Sequence, residues 1–151
     1  MRPFRYRVAL FSEACNDDDV ASVDLLLREE PSLLDFDEFD LSRSVKYACR
    51  NGSLKVMEYF LDFAPERVRD SVRFTAEFLH EALSLYQEKT LHFYFDRSND
   101  PRVDFDLSYD HAFGVRCAVQ ASRMYEGEHF RSLVETLRDF APEIVASVER
   151  R

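Results

Sequence analysis

The stretch Ala48-Cys49-Arg50-Asn51-Gly52-Ser53-Leu54-Lys55-Val56-Met57-Glu58-Tyr59-Phe60-Leu61 decides how this chain is read. Asn51-Gly52 is a helix stop, because glycine enters the left-handed conformation that closes a helix without a Cβ penalty. Ahead of it, Val45, Ala48 and Cys49 share one face of a helix that Ser42 is placed to cap. Beyond it, Ser53 opens a second helix with Leu54, Met57, Phe60 and Leu61 on one face at helical spacing. Pro65 follows the end of that helix, where a missing N–H costs little.

The same template recurs on both sides. Ala14-Cys15, Ala48-Cys49 and Ala82-Leu83 are spaced 34 residues apart. Phe11, Val45 and Leu79 stand three residues before the alanine, Val23, Met57 and Leu91 nine after it, and Leu27, Leu61 and Phe95 thirteen after it. Pro31, Pro65 and Pro101 close the units. A period in the range of roughly 20–50 residues marks a solenoid of repeated small units. A fourth unit follows with Val115, Ala118 and Val119, a small insertion at Tyr125-Glu126-Gly127-Glu128-His129, and then Phe130, Leu133, Val134 and Leu137. Asp62-Phe63-Ala64-Pro65-Glu66 returns literally as Asp139-Phe140-Ala141-Pro142-Glu143. Ile144, Val145 and Val148 suffice for a closing helix.

The expected fold is therefore all-α, a short solenoid of antiparallel helix pairs. It forms one domain over 1–151, with units near 4–34, 41–68, 75–101 and 108–142 and a cap at 143–151. Asp19 and Thr75 are candidate N-caps, and Asp35–Asp40, Arg67–Arg73 and Arg102–Asp106 read as polar, extended connectors.

Composition agrees with a helical protein: 46% hydrophobic residues can build a core, while 3 Gly and 5 Pro are too few for a turn-rich sheet protein. The formal net charge of -9 excludes a general nucleic-acid binder and disfavours anionic membranes. Cys15, Cys49 and Cys117 are odd in number and lack C-x-x-C spacing, which suits a reducing compartment. Met1–Arg7 has no apolar signal-peptide core, and no apolar run reaches spanning length. The expected location is intracellular and cytoplasmic, with the nucleus open.

Residues 48–61 resemble the ankyrin-repeat stretch A-A-x-x-G-H-x-x-V-V-x-x-L-L column by column. Ala14–Leu27 fits the same stretch with Asp18 at the glycine position, and Leu79-His80 retains half of the family's T-P-L-H signature. The resemblance covers about residues 8–142 and implies an ankyrin-like solenoid with degenerate hairpin connectors. A tetratricopeptide array shares the period but wants an opening tryptophan, and the chain has Trp 0.

No catalytic constellation emerges. His80, His92, His111 and His129 form no H-x-x-x-H or H-E-x-x-H pair, and His80 matches a structural histidine of the ankyrin signature. There is no G-x-S-x-G elbow and no phosphate-cradling glycine loop. The acidic segments lack the central glycine and terminal glutamate of a calcium loop, so neither metal nor cofactor is expected. Cys15, Cys49, Met57, Tyr59 and Phe60 read as core.

The connectors Asp35-Phe36-Asp37-Glu38-Phe39-Asp40 and Val103-Asp104-Phe105-Asp106-Leu107 alternate acid with aromatic. Their aromatics either plug gaps between units or project from the concave side of the solenoid as tips, so that a partner binds through the concave face and the connectors. In the second reading Phe36, Asp37, Phe39, Phe105 and Tyr109 contact a basic, partly apolar surface. The expectation is a non-enzymatic protein–protein interaction module, acting as adaptor, inhibitor or assembly factor. The alternatives are an acidic decoy that mimics nucleic acid, and a small helical enzyme built on His80 or His111. Self-association through Phe4, Tyr6, Val8 and Leu10, or through Ile144, Val145 and Val148, is a further expectation if either stripe is uncovered.

Overall fold

The computed structural model describes the backbone of residues 3–150 and the side chains of residues 5–150. Among the described residues the chain is all-helical, with ten α-helices and no strand. Contacts gather it into two compact units, Met1–Arg73 and Phe74–Arg151.

The first unit contains α1 (Pro3–Asn16), α2 (Val20–Glu29), a 3₁₀ turn (Pro31–Asp35), α3 (Leu41–Asn51), α4 (Leu54–Asp62) and α5 (Glu66–Ser71). Helix α1 packs on α2 and α3, and α4 packs on α2, α3 and α5. Phe11, Cys15, Val23, Leu27, Val45, Cys49, Met57 and Phe60 are buried here, each large apolar side chain contributing about 1.5–3 kcal/mol by leaving water. Val8 and Leu10 are half-buried and Tyr6 is exposed, while the side chain of Phe4 lies outside the described residues.

The second unit contains α6 (Ala76–Ser84), α7 (Glu88–Asp96), α8 (Tyr109–Met124), α9 (Glu128–Phe140) and α10 (Pro142–Glu149). Helix α6 packs on α7 and α8, and α10 covers α8 and α9. Leu79, Leu83, Leu91, Tyr94, Val115, Leu133 and Leu137 form its core. The expected closing helix is α10, and of its stripe Val145 and Val148 are buried within the unit while Ile144 is half-buried.

The 34-residue period is written into the backbone. Asp18, Gly52 and Tyr86 stand one period apart, and all are left-handed, with φ of 56°, 64° and 63°. One residue later, the N–H groups of Asp19, Ser53 and Gln87 donate to the carbonyls of Ala14, Ala48 and Ala82 at 2.9, 2.9 and 3.0 Å. Each bond spans a left-handed residue and satisfies a carbonyl orphaned by the helix end.

Asp19 and Thr75 cap their helices as expected, accepting from Ser22 N–H and Phe78 N–H at 3.1 and 3.2 Å. Ser42 does not cap α3. Asp40 holds that place, in an extended conformation from which its carboxylate reaches Arg43 N–H at 3.1 Å. Arg67–Arg73 is not an extended connector, because α5 runs through most of it. Pro65 sets φ ahead of Glu66, and Val68 and Val72 are buried. Within residues 102–106 the strand-like part centres on Val103: Phe74 N–H donates to Arg102 O and Asp104 N–H to Phe74 O, both at 2.8 Å. That isolated parallel bridge, Phe74 with Val103, is the only strand-like pairing among the described residues. Phe95 departs from its repeat column: Leu27 and Leu61 are buried, whereas Phe95 is exposed and stacks on Phe140 at 3.9 Å.

Candidate functional site

His80 lies within α6 at 1% exposure. Its Nε2 is 2.8 Å from the Asp106 carbonyl, which can only accept, so Nε2 carries the proton. Its Nδ1 accepts from Gly114 N–H at 2.8 Å. Both ring nitrogens are committed to backbone, and burial holds the imidazole below its ordinary value of 6.5. His92 is exposed beside Glu88 at 3.2 Å, and His111 and His129 are exposed. Among the described residues no three His, Cys, Asp or Glu side chains gather as a metal site. Burial pushes the Cys15 thiol up to about 12 and raises that of Cys117, which disfavours both thiolates.

The connector residues fall into two groups. In the first unit Phe36 and Phe39 are half-buried and Asp37 is exposed, and Phe39 packs edge-on against Phe11 at 5.2 Å. The flanking acids are engaged, Asp35 with Arg67 at 2.6 Å and Glu38 with Arg5. In the second unit Phe105 is half-buried between Phe95 and Phe140, at 5.8 and 6.4 Å. Tyr109 packs its ring on His80 at 5.4 Å. Asp106 folds onto its own turn, accepting from Ser108 N–H at 3.0 Å and Ser108 Oγ–H at 2.6 Å.

A surface the sequence reading passed over lies on α8. Val115, Ala118 and Val119 turn one face into the core. Phe113, Cys117, Gln120 and Met124 follow at helical spacing on another. Phe113, Met124 and Tyr125 are 36%, 61% and 53% exposed. Together with Tyr86, Arg116 and Cys117 they line a groove of about 330 Å³. The groove is braced: Arg116 stands over the Phe113 ring at 5.9 Å while its Nε–H donates to His111 O at 3.0 Å, and Tyr86 meets Phe130 edge-on at 5.0 Å. The signal was present in the 113, 117, 120, 124 spacing. It was masked because Phe113 lay ahead of the columns that repeat and Tyr125 in an insertion. A second groove of about 380 Å³ between α1 and α2 is lined by Leu10, Leu25 and Leu26 together with Glu13, Asp17 and Asp19.

No helix among the described residues is long and apolar enough to cross a membrane. No family model matches the chain, and neither a curated protein nor a solved structure matches it.

Proposed function

We propose that the chain is a non-enzymatic protein–protein interaction module, an adaptor, inhibitor or assembly factor built on divergent ankyrin-like helix pairs. The observation that carries this reading is the exposed apolar face of α8, where Phe113, Met124 and Tyr125 border one groove. Aromatic and methionine side chains exposed together on an ordered helix are what a partner buries as binding anchors. The commitment of both His80 nitrogens to backbone argues in the same direction, since it withdraws the best-placed general base. The connector residues Phe36, Asp37, Phe39, Phe105 and Tyr109 are the other candidate contacts for a partner, with Asp37 supplying an exposed carboxylate.

Affinity capture from native lysate tests this with three proteins: wild type, Phe113→Ala/Met124→Ala/Tyr125→Ala, and Phe36→Ala/Phe39→Ala/Phe105→Ala, with circular dichroism confirming that each folds. A partner kept by the connector variant and lost by the α8 variant is the expected result. Loss with the connector variant alone would move the interface to the connectors. Equal capture by all three, or no partner at all, would overturn the reading.

A further inference from the structure

The start of α8 carries three consecutive non-glycine residues in the left-handed region: Asp110, His111 and Ala112, with φ of 50°, 55° and 59°. L-residues pay for this conformation, and outside single positions it persists only where the surroundings enforce it. The enforcing group is identifiable. Asp106 precedes the turn and Gly114 follows it, and both are tied to one imidazole, His80, at 2.8 Å each. Gly114 can approach that ring only because it lacks a side chain, since a Cβ there would lie 2.9 Å from Nδ1.

We propose that His80 is a proton-operated latch that holds this strained turn closed. The neutral ring donates from Nε2 and accepts at Nδ1. Protonation places a second N–H at Nδ1, pointing at Gly114 N–H, so one bond becomes a clash of two donors while the bond to Asp106 survives. The turn is then released at its Gly114 end alone. Asp110, His111 and Ala112 can then leave the left-handed region, and with them move Tyr109, which packs on the ring, and Phe113, which lines the α8 groove. The latch thus governs the shape of a surface without being part of it.

The charges acting on the ring are the carboxylates of Asp106 in the connector and Asp110 in the turn, both favouring the cation, and burial outweighs them. Tyr109 and His111 are the other titratable groups of the turn. Glu77 and Glu81 lie on α6 itself, Arg116 of α8 is engaged with the carbonyls of His111 and Asp110, and Glu143 of α10 shares a groove with Ser108 and His111. Because the closed ring holds its proton less well than a free one, acid favours the open form. Opening therefore grows as pH falls below 6.5, the ordinary histidine value.

The test is amide hydrogen exchange on the whole chain by NMR, with the His80 ring titrated in the same samples. Between about pH 7.5 and 5, protection at Gly114 and across 107–113 is expected to fall in step with opening, by up to roughly tenfold per pH unit below 6.5. Protection at the core amides of Leu91 and Leu133 should stay constant. A His92→Gln/His111→Asn/His129→Gln variant should keep the step. His80→Leu should leave the turn unprotected at every pH, and if it fails to fold the wild-type titration decides alone. Constant protection at Gly114 through the His80 titration would overturn the latch. So would its loss together with Leu91 and Leu133, which would mean that the unit melts as a whole.

Discussion

A glycine inside a helix ordinarily costs about 1 kcal/mol relative to alanine, and Gly114 lies within α8. The structure inverts that expectation. A Cβ on Gly114 would lie 2.8 Å from Leu83 Cβ and 2.9 Å from Leu83 Cδ1 as well as from the His80 ring. Leu83 Cβ is fixed by its own backbone and cannot swing aside, so α6 and α8 would have to separate. Gly114→Ala is expected to destabilise the protein by about 1–3 kcal/mol, the range of an overpacked core. In urea unfolding the midpoint should fall while the slope stays constant, and an unchanged or higher midpoint would refute the close approach. His80 was legible as structural because Leu79-His80 carries a recognisable signature. Its partner was not, because the Gly114 contact reaches across 34 residues and exists only once two helices pack.

The turns inside the helix pairs show how far periodicity can be read. Gly52 announces its left-handed turn by type, and Asp18 does so by column. Tyr86 gives no such sign, since an aromatic rarely takes positive φ, and its edge-on contact with Phe130 is what the local sequence lacks. The Asp18 turn also serves a helix of the next pair. Its carboxylate accepts from Val56 N–H at 2.9 Å, in the first turn of α4. Ser53, at the N-cap of α4, donates its hydroxyl elsewhere, to Asn16 O at 3.2 Å. The cap of α4 thus comes from the turn between α1 and α2. Asp18→Gly keeps the backbone conformation but removes this acceptor, and should cost about 0.5–2 kcal/mol, as for other lost N-caps. Asp18→Ala should cost about 1–2 kcal/mol more, the added penalty of a left-handed L-residue. Denaturant midpoints order the three proteins, and faster exchange at Val56 should accompany both substitutions. Equal stability of the Asp18→Gly and Asp18→Ala chains would mean that the turn carries no strain. The same limit of local reading explains Asp40 and α5. A cap is decided by which carboxylate reaches the helix end, and a polar connector turns helical when Val68 and Val72 find a core.

Across the whole chain, the titrating groups divide unevenly between the two units, and each unit acquires its own vulnerable side of neutrality. In residues 74–150 the leading acid-side group is His80, held below 6.5 by burial. The unfolded chain binds its proton more readily than the folded one, so the contribution is complete above 6.5 and is lost as pH falls through the lower folded value. In residues 5–73 the leading groups act on the alkaline side. Burial pushes Cys15 up to about 12 from 9.0, and Tyr59 is raised by burial and by donating its hydroxyl to Asp24 at 2.6 Å. Both ionise earlier in the unfolded chain, so their contribution is complete below pH 9 and drains away above it. The Cys15 thiol alone removes up to about 1.4 kcal/mol per pH unit there. Cys117 adds a similar trend to the second unit from a more exposed position. The lowered carboxylates matter only near or below their ordinary value of 3.8, where Asp19, Asp35 and Asp100 lose their partners' support. Hydrogen exchange read peptide by peptide, corrected for the intrinsic effect of pH, separates the two sides. Acidification from about pH 7 to 5 should loosen the peptides covering 107–114 first, with those of Leu91 and Leu133 unchanged, and a rise from about pH 8.5 to 10.5 should loosen those of 5–73 first. A His80→Leu chain should lose the acid-side response and keep the alkaline one. If both units respond together at both extremes, the titrations are global and the division of the chain into two separately stabilised units fails as an energetic description.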